Sequence, residues 1–552
     1  MKILTFYLLL LLAFIAVACN QGETTDGISI ETISQAEKLI GLAFTEAERD
    51  SMQDGLQDAV SNYQSIRDYP VSNDIPPALL FNVLPPGFVP ETNQEKINWN
   101  LPKKVSLPEN FNDLAFYSVA ELSVLIKNRQ ISSVELTNLY LDRLKKFGDS
   151  LKCVITLTED LALAQAKKAD KELESGIYRS PLHGIPYGIK DLFSLKGYPT
   201  TWGAEPYKDQ VIDETATVIL KLEEAGAVLV AKLTLGALAM GDVWYGGQTK
   251  NPWDPEQGSS GSSAGSASAT AAGLVGFSIG TETWGSIVSP STRCGVTGLR
   301  PTFGRVSRNG AMALSWSMDK IGPICRTSID CALVFEAIRG KDDKDPYTFE
   351  AAFNYKSNVN PGKLRIGYLK DLFESDYASH SNDSITLTVI ESLGVNLIPV
   401  SFSDSIPVRA MRIILSAEAA AAFDELTRSN RDDLLVRQGK GAWPNYFREA
   451  RFIPAVEYIQ ANRLRSMLIQ EIHTLFSDFD IIISPSFGGN QLLMTNLTGH
   501  PCVVVPNGFY KEGHPSTISL LGNLFDEATI LAFAKVYQDA TEWDEKHPLL
   551  FK

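Results

Sequence analysis

Serine and lysine are the residue types whose placement in this sequence could do chemistry. The stretch Gly258-Ser259-Ser260-Gly261-Ser262-Ser263-Ala264-Gly265-Ser266-Ala267-Ser268-Ala269 carries no charge, and Gly280-Thr281-Glu282-Thr283-Trp284-Gly285-Ser286-Ile287 follows it closely. Ordering so many glycines is entropically costly, so they are useful only where backbone must approach something closely. A flexible linker has the same composition. Here the segment lies between apolar strand-like runs and leads into alanine-rich sequence, which favours close packing. Two GxSxG matches, Gly261 to Gly265 and Gly276 to Gly280, point to Ser263 and Ser278 as nucleophiles of a strand–turn–helix elbow. Neither has that context clearly, since the first follows a loop and the second precedes one. No lysine follows the glycines as in a phosphate-binding loop. Lys190 ends the apolar run Gly184-Ile185-Pro186-Tyr187-Gly188-Ile189 and is followed by Asp191. Desolvation at the end of a strand favours the neutral amine, which can act as a general base. The alternative for any single lysine is a solvated surface charge.

The elements that must position these residues alternate. Ser132 with Glu135 caps a helix to Phe147, Cys153 to Leu157 reads as a strand, and Leu161 to Leu173 as a helix. Ile185 to Ile189 is a strand, and Thr217 to Ala225 then Val228 to Ala231 repeat helix and strand. Further strands are expected at Leu364 to Leu369, Val395 to Val400, Ile481 to Ile483 and Cys502 to Val505. Short apolar strands alternating with helices imply an α/β fold, with a mostly parallel or mixed sheet covered on both faces. Before this region, Ile33 to Ile66 reads as two helices. Thr45 and Glu48 form a capping box, and Met52, Leu56, Ala59, Val60 and Tyr63 fall on one face. Such a hairpin is expected to pack as an appendage. The proline-rich segment from Tyr69 to Pro108 is expected to be an extended strap.

Several blocks occur in order: Gly184 to Asp191, Asn251-Pro252-Trp253, Gly261 to Gly273, Gly280 to Pro290, Gly295-Val296-Thr297-Gly298-Leu299-Arg300-Pro301-Thr302, Gly322-Pro323 and Asn496-Leu497-Thr498-Gly499-His500-Pro501. Through them the sequence resembles the amidase signature family, from about Leu114 to the C-terminus. The resemblance implies one large domain built on a central mixed, twisted sheet with helices on both faces. It also implies a Ser-Ser-Lys triad. Ser286 would be the acylated nucleophile, with Ser262 bridging it to Lys190, the proton acceptor. The Gly261–Ser262 peptide bond would be cis. Ser263 and Thr281 match positions that support the triad, and the main-chain N–H groups of Thr283, Trp284, Gly285 and Ser286 would form an oxyanion hole. Trp284 replaces a small or acidic residue. Lys232-Leu233-Thr234-Leu235-Gly236-Ala237 stands where many members have Lys-Thr-Asn-x-Ser-Glu, so polar contacts made there elsewhere are expected to be missing. Specificity is expected to reside in Gly340 to Tyr458, Leu235 to Tyr245 and Trp284.

The implied activity is cleavage of a carbon–nitrogen amide bond in a small molecule or peptide, through an acyl-enzyme and without metal or cofactor. Two alternatives are an ester or carbamate hydrolase on the same triad and a non-catalytic lipoprotein that binds an amide or peptide. With 50 basic against 65 acidic residues the formal charge is −15, and no compact basic run offsets it, so a general nucleic-acid binder is excluded. The six histidines are scattered without metal-type spacing.

The N-terminus reads as a targeting segment. Lys2 precedes an apolar run from Phe6 to Ala18, short for a membrane span and shaped like a secretory signal. Its end, Ala16-Val17-Ala18-Cys19, resembles a bacterial lipoprotein cleavage site with Cys19 lipidated. A plain signal peptide cut near Ala18 is the alternative. Either way the protein is expected to be exported, with the membrane reached only through an N-terminal lipid. The hairpin phrase Leu42-Ala43-Phe44-Thr45-Glu46-Ala47-Glu48 resembles the small partner subunit of tRNA-dependent amidotransferases, but an exported protein does not meet aminoacyl-tRNA. The expected organisation is a signal peptide at 1–19, tether, hairpin and strap at 20–113, and a catalytic domain at 114–552. Of the other cysteines, Cys325 and Cys331 could bridge in an oxidising compartment, with buried free thiols as the alternative for all five.

Overall fold

The structure, a computed structural model, describes residues 27–68, 70–511 and 513–552. The expected signal segment, the tether to Asp26 and Cys19 lie outside the described residues. The chain forms two compact units. One holds the described residues up to Ser72 with Phe452–Pro454, and the other holds Asn73–Arg451 with Ala455–Lys552. No helix among the described residues is long and apolar enough to cross a membrane.

The first unit contains α1 (Ile30–Ile40) and α2 (Glu46–Arg67). Ser29 accepts from the Thr32 amide at the start of α1, and Gly41, at φ +69°, ends it in a left-handed turn. Thr45 and Glu48 form the capping box expected from the sequence, each bonded to the other's main chain. Arg49 of α2 pairs with Glu37 of α1 at 2.8 Å, tying the two helices together.

The second unit is built on an eleven-stranded sheet. Its strands are β1 (Val154–Leu157), β2 (Pro186–Lys190), β3 (Val228–Leu233), β4 (Phe277–Glu282), β5 (Thr297–Arg300), β6 (Lys320–Cys325), β7 (Ile366–Leu369), β8 (Leu397–Val400), β9 (Ile481–Pro485), β10 (Cys502–Lys511) and β11 (His514–Gly522). They lie in the order β1-β3-β2-β4-β6-β5-β10-β11-β9-β7-β8. Pairing is parallel for β2 with β3 and β4, and for β7 with β8 and β9; the other neighbours are antiparallel. The sheet is therefore mixed and, flanked by helices, forms a single α/β body.

Four of its strands, β4, β5, β6 and β11, are not among those expected from the sequence. Glycine and proline dilute the strand pattern, with Gly280 in β4, Gly298 in β5 and Gly322-Pro323 in β6. The reason is packing. Every residue of α3 (Ala264–Ala271) is buried, and a Cβ on Gly280 would stand 2.7 Å from Ser263 Oγ. Only glycine there lets the start of α3 lie directly on the sheet.

Topology gathers the site. Lys190, Glu282 and Arg300 are the last residues of β2, β4 and β5. The antiparallel β6 and β10 begin at the same end, with Lys320 opposite Glu282 and Cys502 opposite Arg300. The following loops therefore converge at one edge, together with α4 (Val288–Cys294) and α5 (Gln491–Thr498).

The strap crosses the second unit. Phe81 stacks edge-on against Phe303 at 5.0 Å with Arg465 over its other side, and Val83 is fully buried. The five cysteines among the described residues, Cys153, Cys294, Cys325, Cys331 and Cys502, are free and buried.

Candidate active site

Lys190 is fully buried at the end of β2. Its Nζ lies 2.8 Å from Ser262 Oγ, 3.2 Å from Ser263 Oγ and 2.8 Å from Thr281 Oγ1. Burial pushes its pKa down to about 7, against the opposing pull of Asp319 and Glu282. The next buried lysine differs in one respect. Lys232, on β3, is paired with Asp191 at 2.8 Å and also donates to Thr200 Oγ1 at 2.7 Å. Among the described residues Lys190 has no such carboxylate, and hydroxyls alone face it.

Ser262 follows a cis peptide bond from Gly261. A Cβ on Gly261 would meet the carbonyl oxygen of Gly241 at 1.9 Å, so no other residue fits while the two backbones stay in contact. Ser263 Oγ donates to Thr281 O at 3.0 Å and accepts from Thr281 N at 3.1 Å, locking α3 to β4 beside the amine. Its amide donates to Ser286 O at 3.1 Å, which brings Ser286 to the same place. Lys190, Ser262, Ser263, Thr281 and Ser286 are thus brought together. Ser278 is not among them. It is fully buried, donating to Ser266 O at 2.9 Å and sharing a 2.9 Å hydrogen bond with Thr270 Oγ1.

The amides of Thr283, Trp284, Gly285 and Ser286 have no acceptor among the described residues. Gly285 sits at φ +88°, and a Cβ there would meet Leu492 Cδ2 and Ser289 Oγ at 3.0 Å. Ser286 is 9% exposed, within reach of solvent, and the Trp284 side chain is 41% exposed beside it. The segment Lys232 to Ala237 lacks the expected family residues, yet Thr234 still shares a 2.7 Å hydrogen bond with Thr249, and its carbonyl accepts from the Gly265 amide at 3.0 Å.

Sequence reasoning missed the groups that hold this loop. Glu282 Oε2 accepts from the amides of Ile287 and Val288 at 2.8 and 2.9 Å. Its Oε1 accepts from Arg300 and Asn496, each at 2.8 Å. Burial raises the Glu282 pKa, but Arg300 and these donors outweigh it and hold the carboxyl at about 2. Arg300 also donates to Thr495 Oγ1 and His500 O at 2.9 and 3.0 Å. The fully buried pair thus clamps the far end of the loop. Glu282→Ala is expected to lower stability by about 3 to 5 kcal/mol, because it leaves Arg300 buried without its partner; urea unfolding measures it. Asp319 holds the near end, accepting from Thr283 Oγ1 at 2.5 Å. The only sequence signal for Glu282, Arg300 and Asn496 was their place inside three of the ordered blocks.

The pattern of the family described as Amidase matches residues 135–495, a span holding Lys190, Ser262 and Ser286. The chain belongs to the amidase family. It is an enzyme that hydrolyses carbon–nitrogen amide bonds. Relatives of this amidase include the A-subunit of the glutamyl-tRNA(Gln) amidotransferase of Coxiella burnetii, 33% identical over 481 residues, covering 78% of this chain and 99% of the relative. The corresponding protein of Neisseria meningitidis is 31% identical over 479 residues, with coverage of 78% and 99%. Among solved structures, the peptide amidase of Stenotrophomonas maltophilia is 28% identical with a TM-score of 0.69, covering 78% of this chain and 97% of that one. An amidase family protein of Bacillus anthracis is 25% identical with a TM-score of 0.71, covering 79% and 93%.

Proposed function

We propose that this amidase works through an acyl-enzyme on Ser286, with Ser262 and Lys190 completing the triad. The observation that carries this reading is the Lys190 amine, fully buried among three hydroxyls and lowered to about 7. Ser263 commits its hydrogen to Thr281 O, so it only accepts from Lys190. A neutral amine has two N–H bonds and one lone pair. Donating to Ser263 and Thr281 leaves the lone pair for the Ser262 hydroxyl. Ser262 in turn takes the proton from Ser286 as its Oγ attacks the amide carbon. The tetrahedral oxyanion is held by the four free amides from Thr283 to Ser286. Lys190 returns its proton through Ser262 to the departing amine, and water then cleaves the acyl-enzyme by the same relay.

The likeness to a peptide amidase over nearly its whole length supports a small acylated amine or peptide amide as substrate. Ester and carbamate hydrolysis use the same acyl-enzyme and are alternatives on the same triad. A fluorophosphonate probe on protein lacking residues 1–19 tests the reading, alongside a panel of acyl para-nitroanilides, peptide amides and para-nitrophenyl esters. An adduct on Ser286 with amide turnover is expected. Amide turnover without an adduct on Ser286 would overturn that residue as the nucleophile.

The apolar run before Ala16-Val17-Ala18-Cys19 supports export and a lipid on Cys19, with the membrane reached only through that lipid and no role for tRNA. Cys19→Ala is expected to move the protein from the membrane to the soluble fraction on cell fractionation; an unchanged membrane fraction rules out that anchor.

A further inference from the structure

We propose that the oxyanion segment is positioned from the strap: Asn73 and Asp319 hold Thr283 through hydrogen bonds joined by the main chain from Ala313 to Ser315. This rests on the reading of Ser286 as nucleophile and of the amides from Thr283 to Ser286 as oxyanion donors.

The connection begins at Thr283, whose Oγ1 donates to Asp319 Oδ1 at 2.5 Å. Asp319 Oδ2 accepts from the amides of Leu314 and Ser315 at 2.8 and 3.0 Å. Both carboxylate oxygens are committed, so the group cannot turn away from Thr283 without losing the loop. Ala313, immediately before, is gripped by both ends of the Asn73 carboxamide. Asn73 Oδ1 accepts from Ala313 N at 2.8 Å, and its Nδ2 donates to Ala313 O at 3.0 Å. This is main-chain pairing of the kind a neighbouring strand would give, supplied by a side chain 240 residues away in sequence.

Met312, Leu314 and Met318 pack this loop into the core on one side, and the other side is open. A cavity of about 200 Å³ is lined by Asn73, Pro76, Ala311, Ala313, Trp316 and Asp319. Glu418 holds the other side of the loop through Ser315 and Ser317, and on the side of the cavity its position depends on Asn73 and Asp319. The far end of the oxyanion segment is already clamped by Glu282 at Ile287 and Val288. The Asp319–Thr283 bond is the matching restraint at the near end. Oxyanion donors act only when aimed where the negative charge develops, so a loose near end lowers the rate without weakening substrate binding.

The test compares Thr283→Val, which keeps the shape and loses the hydroxyl, with Thr283→Ser, which keeps the hydroxyl. Asp319→Asn, Asn73→Ala and the Thr283→Val/Asp319→Asn double variant complete the set, with Ser286→Ala as control. The readouts are the rate of fluorophosphonate labelling, kcat and KM on an acyl para-nitroanilide, and the thermal midpoint. Thr283→Val and Asp319→Asn are each expected to lower kcat and labelling by roughly 10- to 100-fold, as a small misplacement of the reacting geometry does, with KM within about threefold. The double variant falls no further than the worse single, because one bond has been lost in both. Thr283→Ser recovers to within about threefold of wild type, and Asn73→Ala falls by about 3- to 10-fold in kcat. Unchanged rates for Thr283→Val beside an inactive Ser286→Ala overturn the relay, as do additive losses in the double variant. An unchanged Asn73→Ala removes the strap from it. An active Ser286→Ala instead overturns the nucleophile. If Asp319→Asn does not fold, the Thr283 pair still decides.

Discussion

Ser286→Ala is expected to lower kcat for amide hydrolysis by roughly 10⁴- to 10⁶-fold, the range seen when the nucleophile of an acyl-enzyme mechanism is removed. The fold should not change with it. Ser286 is held through its main chain, its carbonyl accepting from the Ser263 amide at 3.1 Å, and the next two amides are held by Glu282. None of these bonds uses the Ser286 hydroxyl. The variant should therefore bind substrate with a similar KM, unfold at the wild-type urea concentration and lose all fluorophosphonate labelling. A variant that folds normally and still turns over near the wild-type rate would show that another group attacks the carbonyl.

Lys190→Met should produce a loss of similar size and also remove a pH dependence. In the wild type the neutral amine is the base, and Lys190 is lowered to about 7 by burial. Below that pH the amine is protonated and cannot accept from Ser262. The wild-type kcat/KM is therefore expected to rise with pH through about 7 and then level off. The same group leaves a trace in stability. Its folded pKa lies below its unfolded value of 10.5, so between about 7 and 10.5 the unfolded chain binds a proton that the folded chain does not. Stability contributed by this group accordingly rises with pH across that window and is lowest below it. Lys190→Met removes that slope along with the activity. A wild-type profile flat from pH 5 to 9, or a Lys190→Met profile that keeps the step near 7, would assign the base elsewhere.

Lys232 shows why a lysine count would not have found the base. Both lysines end apolar runs, both lie on neighbouring parallel strands, and both are buried. Asp191 neutralises one and no carboxylate reaches the other. Lys190 and Asp191 are adjacent in sequence, but successive strand-end residues point in opposite directions, so Asp191 turns to Lys232 and Lys190 to the serines. The GxSxG matches misled for a related reason. Pattern spacing marked Ser263 and Ser278 equally, yet Ser263 braces the amine and Ser278 is an internal hydrogen bond under α3.

The sequence by itself determined the alternation of helix and strand, the capping boxes at Thr45 and Ser132, and the ordered blocks that mark the family. These are local properties, set by periodicity, side-chain caps and glycine placement within a few residues. It did not reveal β4, β5 and β6 as the middle of the sheet, because Gly280, Gly298 and Gly322-Pro323 dilute the ordinary strand pattern. Nor did it join Glu282, Arg300 and Asn496, or Asn73, Asp319 and Thr283. Those contacts span up to 240 residues and exist only because the ends of β2, β4 and β5 meet the starts of β6 and β10 at one edge. A buried charge needs its partner in three dimensions, and only the assembled sheet brings that partner within reach.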